Sequence, residues 1–331
     1  MLPLYRYNTV NEKIAHTHTW KDENRIGSNQ LRAKIWAVGG GKGGVGKSLM
    51  TSSFGILLSR LGKKVLLVDA DLGAANLHTF MGTEGSKLSI SGFLKGEISS
   101  IEDVISKTPI PNLELISGAK DPLDAADING NSITKLKEAL RKTGYDYILL
   151  DIGPGTSSNM LDLFLLSDEG IVITTPEPTS IENTYRFLKC LFLRRMQKVI
   201  DTQNNGKLKE LVQKILSNQW PQRARTFAHI FEQLTQLDFE SGQMLKTLMM
   251  DTGVSIIVNQ IKKPEDKEVG PSIGMACYHY FGFEIGYLGH IAYEDCVVDS
   301  IRARKPLAVS YSNSMAAKAM EACMFRLVNK K

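Results

Sequence analysis

The sequence predicts an α/β fold in which a mostly parallel sheet is covered by helices on both faces. Continuous apolar runs alternate with helix-like segments along most of the chain, which is the pattern of a buried parallel sheet. A glycine-rich loop joins the first apolar run to the first helical segment, and two later runs end in carboxylates. Because open α/β sheets bind ligands at the carboxyl ends of their strands, we expect the functional site at that edge.

The glycine-rich loop spans residues 39–48 and follows the predicted strand at residues 35–38. It contains the pattern G-x-x-x-x-G-K-S, which is a phosphate-binding loop when it stands between a strand and a helix. The residues of the pattern are Gly41, Lys42, Gly43, Gly44, Val45, Gly46, Lys47 and Ser48. Glycines let successive backbone N–H groups and a helix N-terminus face a polyphosphate. We expect Lys47 on the β- and γ-phosphates and the Ser48 hydroxyl on Mg²⁺.

The remaining elements follow in regular alternation. The second apolar run ends at Asp69 and Asp71, and a later one ends at Asp151. Further strands are predicted over residues 112–117, 171–174, 254–259 and 284–288. Helices are predicted over residues 49–61, 131–142 and 270–281, from an N-cap at Ser180 through Arg195, and near residues 294 and 313.

Two segments stand apart from this alternation. Residues 1–32 are predicted to form a polar N-terminal extension to the domain at 33–331, and a basic helical insertion is expected at about 186–250. Between 186 and 225, ten basic residues stand against two acidic ones, a net charge of +8 in a chain whose total is +5. This segment is either a sheet-packed helix with a solvated basic face or a docking surface for an acidic protein, an anionic membrane or nucleic acid.

Composition excludes several classes of protein. The sequence has no run of 18 or more apolar residues, so we expect no transmembrane segment. The four cysteines are scattered without a C-x-x-C pair, which is typical of a reducing cytoplasm and lacks the usual metal-ligand spacing. We therefore expect a cytoplasmic protein, with peripheral contact to a membrane left open.

The motifs resemble those of one family. Lys42 lies just inside the first glycine of the pattern, and this heptad resembles the deviant phosphate loop of the MinD/ParA class of ATPases. The segments 68–77, 150–153, 175–180 and 258–259 occur in the order of that class. Residues 176–185 and 289–295 look closest to the flagellar-number regulators FlhG and FleN and to cell-division MinD proteins. The resemblance implies a sheet of the P-loop NTPase type.

The resemblance also implies residue roles. Lys42 would reach the nucleotide of a facing subunit, and Asp71 would orient the attacking water. Asp151 would hold Mg²⁺ through water, with Asp69 near the same ion. Asn259 would read adenine, with Pro176 and Glu177 near the base. From the residues alone, Asp69 could equally be a cap or turn carboxylate, and Asn259 a loop asparagine.

The expected function is an Mg²⁺- and ATP-dependent switch that hydrolyses ATP, forms a homodimer with ATP bound and positions or counts a cellular structure, either flagella or the division site. A protein partner is expected, with the basic segment 186–225 as its candidate surface. Two alternatives are a ParA-like DNA partition ATPase and an Mrp-type metal or iron–sulfur carrier. The absence of C-x-x-C opposes the carrier.

Overall fold

Eight strands of the described chain form one sheet. The structure, a computed structural model, describes residues 32–71, 74–84, 88–118, 130–202, 206, 208–210, 212, 226–250 and 253–330. The strands are β1 (Lys34–Gly39), β2 (Val65–Ala70), β3 (Ile105–Lys107), β4 (Leu113–Ile116), β5 (Tyr147–Ile152), β6 (Glu169–Thr174), β7 (Val254–Ile261) and β8 (Gly286–Ala292). Their order across the sheet is β3-β4-β2-β5-β1-β6-β7-β8. All neighbours are parallel except the β3–β4 pair, so the predicted α/β fold is confirmed.

The sheet is buried on both faces because helices cover each side. Every residue of β2 and β5 is buried. In β1, Ile35 and Ala37 join one apolar cluster, while Trp36 and Val38 join the other. Since successive side chains of a strand point to opposite faces, the two clusters are the two cores of a three-layer domain. Burial of the strands on both faces explains why they are continuous apolar runs in the sequence.

The helices connect the strands and cover both faces. They are α1 (Lys47–Arg60), α2 (Leu77–Phe80), α3 (Ile90–Lys95), α4 (Gly130–Lys142), α5 (Ser158–Phe164), α6 (Pro178–Thr202), α7 (Phe227–Leu237), α8 (Phe239–Met250), α9 (Val269–Phe281), α10 (Asp295–Arg302), α11 (Leu307–Ser310) and α12 (Met315–Val328). Short 3-10 turns lie at Ile101–Val104 and Pro264–Glu268. No helix in the described ranges is both long and apolar enough to cross a membrane.

The first part of the expected basic insertion belongs to the core instead. Residues 186–202 continue α6 without interruption, and Phe187 and Phe192 are buried against the sheet. Buried side chains recur along one face of this helix, as in a helix that connects two parallel strands, here β6 and β7. A helical addition to the fold can therefore begin only beyond Thr202. Helices α7 and α8 lie in that later part, and much of residues 203–225 lies outside the described ranges.

Three sequence-based assignments were wrong in detail. Ser180 lies inside the first turn of α6, and its hydroxyl accepts a hydrogen bond from the Thr175 backbone N–H at 3.0 Å, so it secures the end of β6 rather than capping the helix. Strand β8 begins at Gly286 and runs further than predicted, because Gly289 inside it interrupts the apolar pattern. The three-residue edge strand β3 was not predicted.

The remaining expectations about the chain's organisation fall largely beyond the described residues. The predicted N-terminal extension, except Arg32, lies outside them. Leu72 and Gly73, which follow Asp71, lie outside them as well.

Candidate nucleotide-binding site

The phosphate-binding loop lies between β1 and α1, at the carboxyl edge of the sheet. A Cβ added to Gly41 would lie 2.1 Å from the Asn183 carbonyl oxygen, so glycine lets the start of the loop pass close to α6. Gly46 has φ +101°, a left-handed conformation that glycine adopts without strain, and it directly precedes α1. The first N–H groups of α1 therefore have no partner within the helix and face the loop, as an anion site requires.

Two lysines of the loop have different surroundings. Lys47 is only 8% exposed, and its ammonium donates a hydrogen bond to the Lys42 carbonyl oxygen at 3.3 Å. Burial lowers the pKa of Lys47, while Asp151 and Asp71 act to raise it. Burial disfavours the charged ammonium, and a bound phosphate would stabilise it by supplying the opposite charge.

Lys42 has a partner within its own chain. Its ammonium lies 2.7 Å from Glu177 Oε2 and 3.1 Å from Thr179 Oγ1, at the start of α6. The hydrogen bond from Lys42 lowers the pKa of Glu177. The resemblance implied that Lys42 reaches the nucleotide of a facing subunit and that Pro176 and Glu177 lie near the base. In the structure Lys42 and Glu177 form an ion pair, and the half-buried Pro176 directly precedes Glu177.

Two carboxylates lie side by side behind the loop. Asp69 of β2 and Asp151 of β5 are paired in register, and they are 1% and 2% exposed. Burial raises the pKa of both carboxyls, and the Asp69 charge raises that of Asp151 further. Ser48 donates a hydrogen bond to Asp151, and so does Thr51 at 3.2 Å.

Asp69 shapes the segment that follows it. Its Oδ2 accepts the Leu77 backbone N–H at 2.9 Å, and its Oδ1 accepts the Asp71 N–H at 3.2 Å. These contacts match the turn-carboxylate alternative and hold the backbone of Asp71 and of Leu77 against the end of β2. Asp71 itself accepts the Ala74 N–H at 3.2 Å, and a Cβ added at Gly153 would lie 2.8 Å from Asp71 Oδ1.

Two side-chain amides near the end of β7 donate hydrogen bonds to the phosphate-binding loop. The Asn259 side-chain amide is buried and donates to the Val45 carbonyl oxygen at 2.8 Å. The Gln260 amide donates to the Gly44 carbonyl oxygen at 3.2 Å. Asn259, expected at the adenine, thus contacts the backbone of the predicted phosphate-binding loop.

The structure brings most of the expected residues to one place. Asp71 and Asp151 act on Lys47 of the loop, Ser48 of the loop donates to Asp151, and Glu177 contacts Lys42 of the same loop. Sequence reasoning missed Thr51 and Gln260. Thr51 could have been found from its helical spacing, since it follows Lys47 by one turn and shares its face. No sequence signal pointed to Gln260.

The donor set fits a nucleotide with Mg²⁺. The loop offers backbone N–H groups and a buried ammonium, while Ser48, Asp69 and Asp151 offer oxygen atoms, the ligands that Mg²⁺ prefers. Asp71 and Asp151 act on Lys47, and Asp69 lies beside Asp151, so a divalent cation would balance the excess negative charge of the three carboxylates. Fold and site together define a P-loop protein that binds nucleotide.

Comparison with known proteins agrees with this class. A family model described as "AAA domain" matches residues 33–209, more than half of the chain, and the chain belongs to that family. A relative named "Putative septum site-determining protein MinD" from Oltmannsiellopsis viridis is 36% identical over 150 residues, which are 45% of this chain and 47% of that protein. The chain spans about half the length of the curated relatives it matches.

Solved structures share the fold. MinD from Pyrococcus horikoshii, a complex with Mg-ADP, has a TM-score of 0.62 at 20% identity, covering 90% of this chain and 96% of that one. A ParA family ATPase from Chlorobium tepidum has a TM-score of 0.60 at 15% identity, covering 91% and 99%. The resemblance to the MinD/ParA class of P-loop ATPases is confirmed, and the likeness to flagellar regulators stays a prediction.

Proposed function

We propose that this protein is an Mg²⁺- and ATP-dependent switch that hydrolyses ATP, dimerises with ATP bound and places the division site in the cell. The observation that carries the proposal is the buried Asp69–Asp151 pair beside Lys47 in the phosphate-binding loop. The name of the relative from Oltmannsiellopsis viridis supports division-site placement over the counting of flagella.

Each residue of the site has a task in this proposal. The loop N–H groups and Lys47 bind the phosphates, and Ser48 and Asp151 would hold Mg²⁺. Bound Mg²⁺ supplies positive charge to the phosphate oxygens. Asp71, next to Gly153, orients the attacking water and accepts its proton as the water oxygen bonds to the γ-phosphorus and the bond from that phosphorus to the bridging oxygen of the departing ADP breaks. Thr51 keeps Asp151 in place.

The basic segment supports a partner surface less strongly than its charge suggests. In α6, Arg194 makes two hydrogen bonds to Asp162, at 2.8 and 2.7 Å, and Lys198 makes an ion pair with the same carboxylate at 2.9 Å. Part of the positive charge is therefore neutralised inside the fold. Because nucleic acid, an anionic membrane and an acidic protein all need free cations along one surface, the pairing weakens α6 as a docking surface for each of them.

The test is a competition titration of Mg-ATP against Mg-GTP, with EDTA as the metal-free arm. We expect ATP to bind in preference to GTP and its affinity to fall when Mg²⁺ is removed. Lys47→Ala removes a buried, charge-assisted phosphate contact and should weaken ATP binding by about 10- to 100-fold. The exposed Lys63→Ala is the matched control and should bind as wild type. Equal or tighter binding of GTP would contradict the proposal.

A further inference from the structure

Gln260 has a backbone conformation that non-glycine residues rarely adopt. Its φ is +61°, in the left-handed region, near the end of β7. The pairing of β7 with β8 shifts in register between Val258 and Ile261, so Gln260 lies in a β-bulge. Such a conformation costs free energy and persists where the surrounding structure requires it, often at functional sites.

The bulge changes where two successive side chains point. On a regular strand, Asn259 and Gln260 would face opposite sides of the sheet. Here both reach the phosphate-binding loop: Asn259 Nδ2 lies 2.8 Å from the Val45 carbonyl oxygen, and Gln260 Nε2 lies 3.2 Å from the Gly44 carbonyl oxygen. The left-handed residue therefore lets two neighbouring amides hold two neighbouring carbonyls.

Holding these carbonyls orients the N–H groups of the same peptide units. A trans peptide points its C=O and N–H in opposite directions. The Gly44 carbonyl belongs to the unit that carries the Val45 N–H, and the Val45 carbonyl to the unit that carries the Gly46 N–H. When the carbonyls point outward to the two amides, the N–H groups of Val45 and Gly46 point into the loop, where a phosphate binds.

We propose that Gln260 is a positioning residue for phosphate binding, which acts with Asn259 by fixing the peptide planes of the loop rather than by reading the base. This inference rests on the proposed binding of ATP and names a further residue of that site. It also assigns a function to the strained backbone of Gln260, since only the bulge brings both amides to the loop.

The experiment separates positioning from stability with two substitutions. Gln260→Asn keeps the amide but shortens the side chain by one CH₂, and asparagine tolerates a positive φ better than glutamine does. Gln260→Met keeps the length and removes the donor. Each variant is titrated in Mg²⁺ with inorganic tripolyphosphate and with ATP, and its thermal midpoint is measured without ligand. Gln236→Met on α7, an exposed glutamine, is the control.

We expect both variants to bind tripolyphosphate and ATP about three- to tenfold more weakly than wild type, the range that one hydrogen bond contributes. The Gln260→Asn protein should nevertheless melt at the same or a higher temperature, because its backbone is less strained. A weaker affinity for tripolyphosphate and ATP, together with an unchanged or higher melting temperature, would exclude a purely structural role for Gln260.

Two results would overturn the inference alone: wild-type tripolyphosphate affinity in both variants, or a loss confined to ATP, which would indicate base reading. A wild-type protein that binds neither probe would overturn the proposed function, and the inference with it.

Discussion

Lys42 lies in the loop with its ammonium on Glu177 and Thr179 of the same chain. Lys47 is buried, whereas Lys42 is partly exposed, so the two lysines are not equivalent. An exposed ion pair between flexible side chains is weak and easily exchanged. Lys42 can therefore leave Glu177 when a stronger anion is presented, and in the proposed dimer a phosphate of the facing subunit would be such an anion.

The residue-scale prediction concerns Asp71. Asp71→Ala should leave ATP affinity nearly unchanged and lower the rate of hydrolysis by about 100-fold, because it removes water alignment and not a phosphate contact. Single-turnover hydrolysis and ATP titration measure the two quantities. Asp103→Ala, an exposed carboxylate outside the loop, should change neither. Hydrolysis at the wild-type rate would show that Asp71 does not orient the water.

At the scale of elements, Asp162 joins α5 to α6. Its side chain is 5% exposed and receives hydrogen bonds from Arg194 and an ion pair from Lys198. Burial raises the pKa of Asp162, but the contacts from the two cations more than offset it, and the net pKa lies below its ordinary value. Helix α5 follows the Gly153 loop, so this carboxylate ties the segment after the site to the long helix α6.

Asp162→Asn should lower the free energy of unfolding by about 1–3 kcal/mol, because charge-assisted hydrogen bonds are lost inside a partly buried contact. A carboxyl whose folded pKa is depressed stabilises the fold above its unfolded pKa and ceases to do so as pH falls through the folded pKa. The difference between wild type and variant should therefore shrink below about pH 4.

Urea denaturation at pH 7 and at low pH measures this difference. Glu182→Gln, which breaks the exposed pair with Arg186 on the same helix, is the control and should have little effect. A difference that stays constant with pH would contradict an electrostatic origin.

At the scale of the whole molecule, the switch proposal requires that ATP favour a dimer. If Lys42 crosses to the partner's nucleotide, each site is complete only in the dimer, and ATP stabilises that state by its differential affinity. Hydrolysis removes this difference, and Lys42 returns to Glu177 within its own chain.

We therefore expect the Asp71→Ala protein with Mg-ATP to be dimeric and the ADP form to be mainly monomeric. Adding Lys42→Ala to Asp71→Ala should return the protein towards monomer while ATP still binds. Sedimentation velocity at matched concentrations measures the oligomeric state, with Lys63→Ala in the same background as the control. An oligomeric state that does not depend on nucleotide would contradict the dimer switch.

The sequence by itself determined the fold class and the centre of the site. A strand buried on both faces is a continuous apolar run in the sequence. The phosphate-binding loop is a short stretch of glycines with Lys47 and Ser48, next to the start of a helix. The strands and the loop can be predicted because each depends on residues that are close together in the sequence. Tertiary structure alone decided that Lys42 pairs with Glu177 and that Gln260 reaches Gly44, contacts between residues 135 and 216 positions apart. Such contacts depend on strand order and on a bulge in β7. Neither leaves a periodic signal in the chain, because both arise only when distant segments pack into one sheet.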